Sequence, residues 1–175
     1  MKNYKNLLTR YPLLFKAATE EGNQSPFAHF GFECDIGWYD IIDCACGILY
    51  SKYWTFDEMV KYWEEKKQSR PGPGDDETIE KYKLERQQAI DQMPVVSQIK
   101  EKFGGLRFYV DNGNEKVFAI ANYAEALSHR ICEVCGNTGK TYRTGWHKTL
   151  CPKHATEKYG EKFMGEELVD DSSYV

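Results

Sequence analysis

The sequence predicts an α+β protein, with several helices packed on a short antiparallel β-hairpin and a small C-terminal module organised by cysteine and histidine. Three observations carry that expectation. Apolar residues recur at helical spacing before Pro94, the period switches to two on either side of Gly104 and Gly105, and two pairs of chelating residues with equal gaps lie between Cys132 and His154. The composition suits one main core with a satellite beside it, since 175 residues at 41% hydrophobic and 14% aromatic can bury a core of moderate size. The expected partition is a main domain over residues 1–130, with 64–92 as an insertion, a metal module over 131–165 and an acidic tail over 166–175.

Residues 2–19 carry an apolar stripe of Leu7, Leu8, Tyr11, Leu14, Phe15 and Ala18, which Pro12 must kink or split into two short helices. A Gly/Asn/Ser/Pro loop follows, and Asp35 is placed to cap a helix that buries Trp38, Ile41, Ile42, Ala45 and Leu49. Thr55 and Glu58 have capping-box spacing and predict a new helix with Phe56, Met59, Val60 and Trp63 on its buried side. "KKQSRPGPGDDE", residues 66–77, reads as an exposed connection into a polar helix ending near Gln92.

In "VVSQIKEKFGGLRFYV" the Gly104–Gly105 pair predicts a two-residue turn that sets Phe103 against Leu106, Lys102 against Arg107 and Lys100 against Tyr109. Alternation then gives a buried face of Ile99, Glu101, Phe103, Leu106, Phe108 and Val110, on which Glu101 is anomalous, and an open face of Gln98, Lys100, Lys102, Arg107 and Tyr109. A last helix, from about Glu115 to Arg130, delivers the chain to Cys132.

Cys132 and Cys135, then Cys151 and His154, each enclose two residues, a gap that lets one turn place both members of a pair on one ion. Gly136 allows the first pair to fold as a knuckle, and Pro152 suits the first position of a helix carrying the second pair. The segment between them can turn at Thr144 and Gly145, so the order knuckle, hairpin, helix resembles a treble-clef zinc finger. With four protein ligands no position is left for a reactive water, which predicts structural zinc. Three thiolates, one neutral imidazole and Zn²⁺ sum to −1, and Lys140, Arg143, Lys148 and Lys153 lie nearby in sequence to offset it. His147 is an alternative fourth ligand. The other cysteines, Cys34, Cys44 and Cys46, are expected to be reduced thiols, with Cys44 and Cys46 buried as small apolar residues.

Three constellations are candidates for function. Lys100, Lys102, Arg107 and Tyr109 can hold a phosphate-bearing ligand, Arg107 forking onto phosphate and Tyr109 stacking on a base, or they form a solvated face. Arg143, Trp146 and Lys148, with His147, form a basic and aromatic set suited to nucleic acid, or they only balance the thiolates. His29, Glu33, Asp40 and Asp43 can hold a divalent ion for hydrolysis, or they serve as a solvated helix face. No nucleophile with its base, phosphate loop or open metal site occurs at recognisable spacing, so an enzyme is disfavoured. The net charge of −4 and pI of about 5.6 exclude a global basic field. No apolar run is long enough for a signal or a membrane span, so the protein is expected to be cytoplasmic and without a membrane partner.

"FGFECDIGWYDII", "VVSQIKEKFGGLRFYV", "CEVCG", a later "GW" and "TLCPKH" together resemble a family of small proteins encoded by bacteriophages and prophages, over most of the chain outside residues 64–92. That family carries no established activity, so the resemblance implies context more than mechanism. Its first motif tends to read Glu-Cys-Gly-Asp-Gly-Trp, where this chain has Glu33, Cys34, Asp35, Ile36, Gly37, Trp38. The leading expectation is a zinc-stapled phage accessory protein that acts in the host cytoplasm by binding a phosphate-bearing nucleotide signal or a host protein, in counter-defence. Nucleic-acid binding and metal-dependent nuclease or hydrolase activity are the alternatives.

Overall fold

In the computed structural model, which describes residues 2–144 and 146–160, the chain is a mixed α+β protein with helices and two small sheets. The expected zinc-module end at 161–165 and the acidic tail lie outside the described residues. Pro12 splits the first segment as expected: α1 (Lys5–Arg10) stops before it, and a 3-10 turn over Lys16–Ala18 resumes the path, with Leu7, Tyr11, Leu14 and Phe15 all buried. Ser25 caps α2 (Pro26–Phe30) by accepting from the amide of Ala28, with Pro26 at the first helical position. After β1 (Phe32–Glu33) comes a 3-10 turn over Ile36–Trp38, and Asp35 precedes it without a side-chain capping bond, contrary to expectation.

The second and third expected helices are one. α3 (Tyr39–Ser69) runs for 31 residues without a break. No proline or glycine interrupts it after Gly47, and the hydroxyls of Ser51 and Thr55 donate back to the carbonyls of Ile48 and Ser51 instead of capping a new start. Its first half buries Ile41, Ile42, Ala45, Cys46 and Tyr50; its second half pairs with α4 (Asp75–Asp91), and the connection shrinks to residues 70–74. Asp57 accepts from both Lys61 and Arg86, Lys66 and Asp75 meet at 2.6 Å, and Lys67 pairs with Asp76, so charge fixes a helix pair whose shared apolar surface is small.

β2 (Val95–Lys102) runs parallel to β1 and antiparallel to β3 (Gly105–Asp111), giving the order β1-β2-β3. The turn is one residue earlier than expected. Phe103 and Gly104 occupy it with φ of 54° and 78°, and Lys102 pairs with Gly105, Lys100 with Arg107, Ile99 with Phe108. Gly105 instead begins β3, where the ring of His129 fills the space a β-carbon would need, so the position still requires glycine. The slip preserves both faces of the hairpin but removes Phe103 from the core and leaves it 63% exposed at the tip. α5 (Glu115–Ser128), capped by Asn114, closes the outer edge of β3: Ser128 Oγ accepts from the amide of Leu106 and a Glu125 oxygen from that of Phe108, both at 2.8 Å. Among the described residues no helix is long and apolar enough to cross a membrane.

A phenylalanine in the left-handed region is strained, on the order of 1 kcal/mol, where asparagine is readily accepted. Phe103→Asn should therefore raise the denaturation midpoint by about that much free energy. An unchanged or lowered midpoint would mean that the ring itself stabilises the tip.

Candidate metal centre

Two local structures bring the four ligands together. A bridge between Ile131 and Thr138 closes the knuckle; within it Gly136, at φ 80°, donates to the carbonyl of Cys132, and the sulfurs of Cys132 and Cys135 face inward. β4 (Lys140–Thr144) and β5 (Trp146–Leu150) then form an antiparallel hairpin that leads to α6 (Pro152–Tyr159). Cys151 stands immediately before that helix with Pro152 at its first position, so His154 returns to the same side one turn later. Tyr142, Leu150 and Ala155 pack beneath the cluster.

The four ligand atoms lie within 4.8 Å of one another. Cys135 and Cys151 sulfurs are 3.8 Å apart, and His154 Nδ1 is 3.4 Å from the sulfur of Cys132 and 3.3 Å from that of Cys151. Bonds of about 2.3 Å to sulfur and about 2.0 Å to nitrogen at tetrahedral angles require edges of about 3.8 Å and about 3.5 Å, so the cluster can hold a metal ion of that size. Burial pushes the Cys151 thiol up, but the amide of His154 and the sulfurs of Cys135 and Cys132 outweigh it and bring it to about 7. His154 Nε2 faces a Glu157 oxygen at 3.8 Å, the kind of outer contact that fixes the orientation of a ligating ring. His147 is not in the cluster; its ring lies beside Phe103.

The knuckle is fastened to the rest of the protein mainly through its backbone. Gly37 donates to the carbonyl of Glu133 at 2.7 Å, and Trp38 Nε1 to that of Ile131 at 2.8 Å. A β-carbon on Gly37 would overlap the carbonyl oxygens of Cys132 and Glu133. The Glu133 side chain, only 3% exposed, accepts from the Asp35 amide and from Lys148, which also reaches Glu101 at 2.9 Å. Burial raises the Glu133 carboxyl above its usual range against the pull of Lys148. Burial also lowers the Lys148 ammonium, but the two carboxylates more than restore it, so it stays charged. On the other side Thr149 donates to the carbonyl of Gly104 at 2.5 Å, and Thr141 contacts the His129 ring at 3.0 Å. "ECDIGW" and "EKFGG" are thus both docking strips for the metal module.

Glu101, anomalous as a core residue, is explained by Lys148 and by the amide of Gly104, which donates to it at 2.7 Å. Lys100 and Arg107 are cross-strand partners on the open face, with Tyr109 near the Lys100 ammonium; Lys102 is exposed at the end of β2. Arg107 lies 3.7 Å from Glu125, and Glu33 sits opposite Lys100 in register. In the nucleic-acid set, Trp146 is 85% exposed, Lys148 is held by its two carboxylates, and Arg143 pairs with His147 in register. Gly145 lies outside the described residues.

His29, Glu33, Asp40 and Asp43 do not converge. Asp40 pairs with Lys2, both oxygens of Asp43 accept from Arg10 Nη1 and one also from the Tyr11 hydroxyl, Glu33 accepts from Gln98, and His29 meets the carbonyl of Ser25. Cys46 is buried as expected but Cys44 is exposed, on the outer side of α3. Burial pushes the Cys34 thiol up to about 12, which leaves it a poor nucleophile. Sequence reasoning missed Gly37, Glu133 and Thr149, each of which meets a backbone atom remote in sequence. Two open depressions of about 260 and 460 Å³ flank the docking strip and share Asp35, Glu133 and Lys148. Comparison with family models, with curated proteins and with solved structures finds no match.

Gly37→Ala should destabilise the protein by about 1–3 kcal/mol or more and speed metal release to a chelator, read from the denaturation midpoint and a colorimetric chelator assay. An unchanged midpoint would mean that the knuckle and the 3-10 turn separate freely.

Proposed function

We propose that this chain is a zinc-stabilised binding protein without catalytic activity, a phage accessory protein acting in the host cytoplasm through the open face of its hairpin. The observation that carries the reading is the closed cluster of Cys132, Cys135, Cys151 and His154, whose surroundings serve to hold it in place. Three sulfurs and one imidazole nitrogen within 4.8 Å of one another suit zinc, and a site filled by protein leaves no position for a metal-activated water. Knuckle, hairpin and helix in that order give the module a treble-clef-like character.

The ligand we assign to Lys100, Arg107 and Tyr109, with Lys102 at the rim, is a small phosphate-bearing molecule such as a nucleotide signal, whose capture would serve counter-defence. Supporting this are the direct pairing of Lys100 with Arg107 and the Tyr109 ring 5.8 Å from the Lys100 ammonium, which put two cations and a stacking surface within one ligand's span. Glu125 beside Arg107 and the Leu106 carbonyl, which accepts from its Nη1 at 2.8 Å, hold the guanidinium in place and leave the side chain 25% exposed.

Native mass spectrometry of the purified protein should find one zinc per chain, and chelation should lower the melting temperature and unfold the module. Cys151→Ser should do the same; a metal-free protein with an unchanged melting temperature would remove the staple. A retained phosphate-bearing ligand should be lost at least tenfold in Arg107→Ala, with zinc content intact, since a charge-assisted contact contributes roughly 1.5–3 kcal/mol. Capture of a host protein with no small ligand would turn the reading to a protein target.

A further inference from the structure

Phe103 is costly where it stands. It is a bulky side chain at φ 54°, in a turn position that asparagine or glycine fills without strain, and its ring is 63% exposed. Folding gains little from it, so an aromatic ring held at this tip points to use outside the core. A second tip lies alongside. The His147 ring is 6.2 Å from that of Phe103, and Trp146, the next residue back along β5, is 85% exposed. The Lys102 ammonium lies 5.1 Å from the centre of the Phe103 ring.

We propose that the two hairpin tips form a stacking platform for single-stranded nucleic acid, with Phe103 and Trp146 stacking on bases, His147 between the tips, and Lys102 meeting the phosphate backbone. Exposed flat rings beside a cation suit unpaired bases, each of which offers a face for stacking. The platform is preset: Thr149 donates to the Gly104 carbonyl and Thr141 meets His129, so the metal hairpin fixes the position of the other tip. Nearby carboxylates do not oppose a strand. Glu101 and Glu133 are turned inward onto Lys148. With few cations present, stacking supplies most of the affinity and the salt dependence is shallow, a log–log slope of about −1 for one or two phosphates contacted.

The test is fluorescence anisotropy of a labelled oligothymidylate of about twelve nucleotides, within the usual site size for such platforms, titrated with the zinc-loaded full chain. Saturable binding is expected, weaker for a duplex of equal length, and reduced about tenfold or more in both Trp146→Ala and Phe103→Asn. Arg107→Ala should bind the oligonucleotide as the parent does, which separates this surface from the small-ligand face. Phe103→Asn is the decisive variant, because it is expected to stabilise the fold while losing the strand. Absence of binding at tens of micromolar protein, or binding indifferent to both variants, would overturn the proposal. Loss of a captured host protein in the two variants, with no oligonucleotide binding, would overturn it in favour of a protein interface.

Discussion

The amide of Gly37 sits 2.7 Å from the carbonyl of Glu133, in a gap with no room for a β-carbon, and this backbone contact joins the two halves of the protein. Such an approach works only if the knuckle holds its shape. The module has little core of its own, with Tyr142, Leu150 and Ala155 packed around buried cysteines, so a metal held by the four-residue cluster would supply the rigidity. Once the knuckle is fixed, it offers carbonyls to Gly37 and Trp38, and the following hairpin offers Thr149 to the turn at Gly104. A metal held by this cluster would thus order contacts far from its own ligands.

Charge follows the same plan. Lys148 bridges Glu101 of the main sheet and Glu133 of the knuckle, while Glu133 also accepts from the amide of Asp35. A carboxylate as buried as Glu133 is tolerated only with such partners, and removing Lys148 would strand two acids at the junction. Lys100, Lys102, Arg107 and the aromatic tips stand outside this junction.

Much of this was legible in the sequence because it is local. Equal two-residue gaps marked the four residues that cluster so that they could hold a metal, alternation separated the hairpin faces, and Pro12 marked the break in the first helical segment. What was not legible depends on remote partners. Gly105 reads as a turn residue until His129 is found to be what requires glycine there, and Glu101 reads as a misplaced charge until Lys148 arrives from the second hairpin. "ECDIGW" shows no partner in the sequence because the amide of Asp35 within it donates to Glu133, 98 residues away. The capping signal at Thr55 failed for another reason: nothing before it ends the helix, so its hydroxyl bonds inward to the same helix.

The most direct test is hydrogen exchange of the whole chain before and after chelation, followed by peptide. If the metal orders the junction, removing it should speed exchange at residues 131–160 and also at 35–38 and 101–106, while the α3–α4 pair keeps its protection. Faster exchange confined to 131–160 would contradict the account and make the metal module an independent appendage.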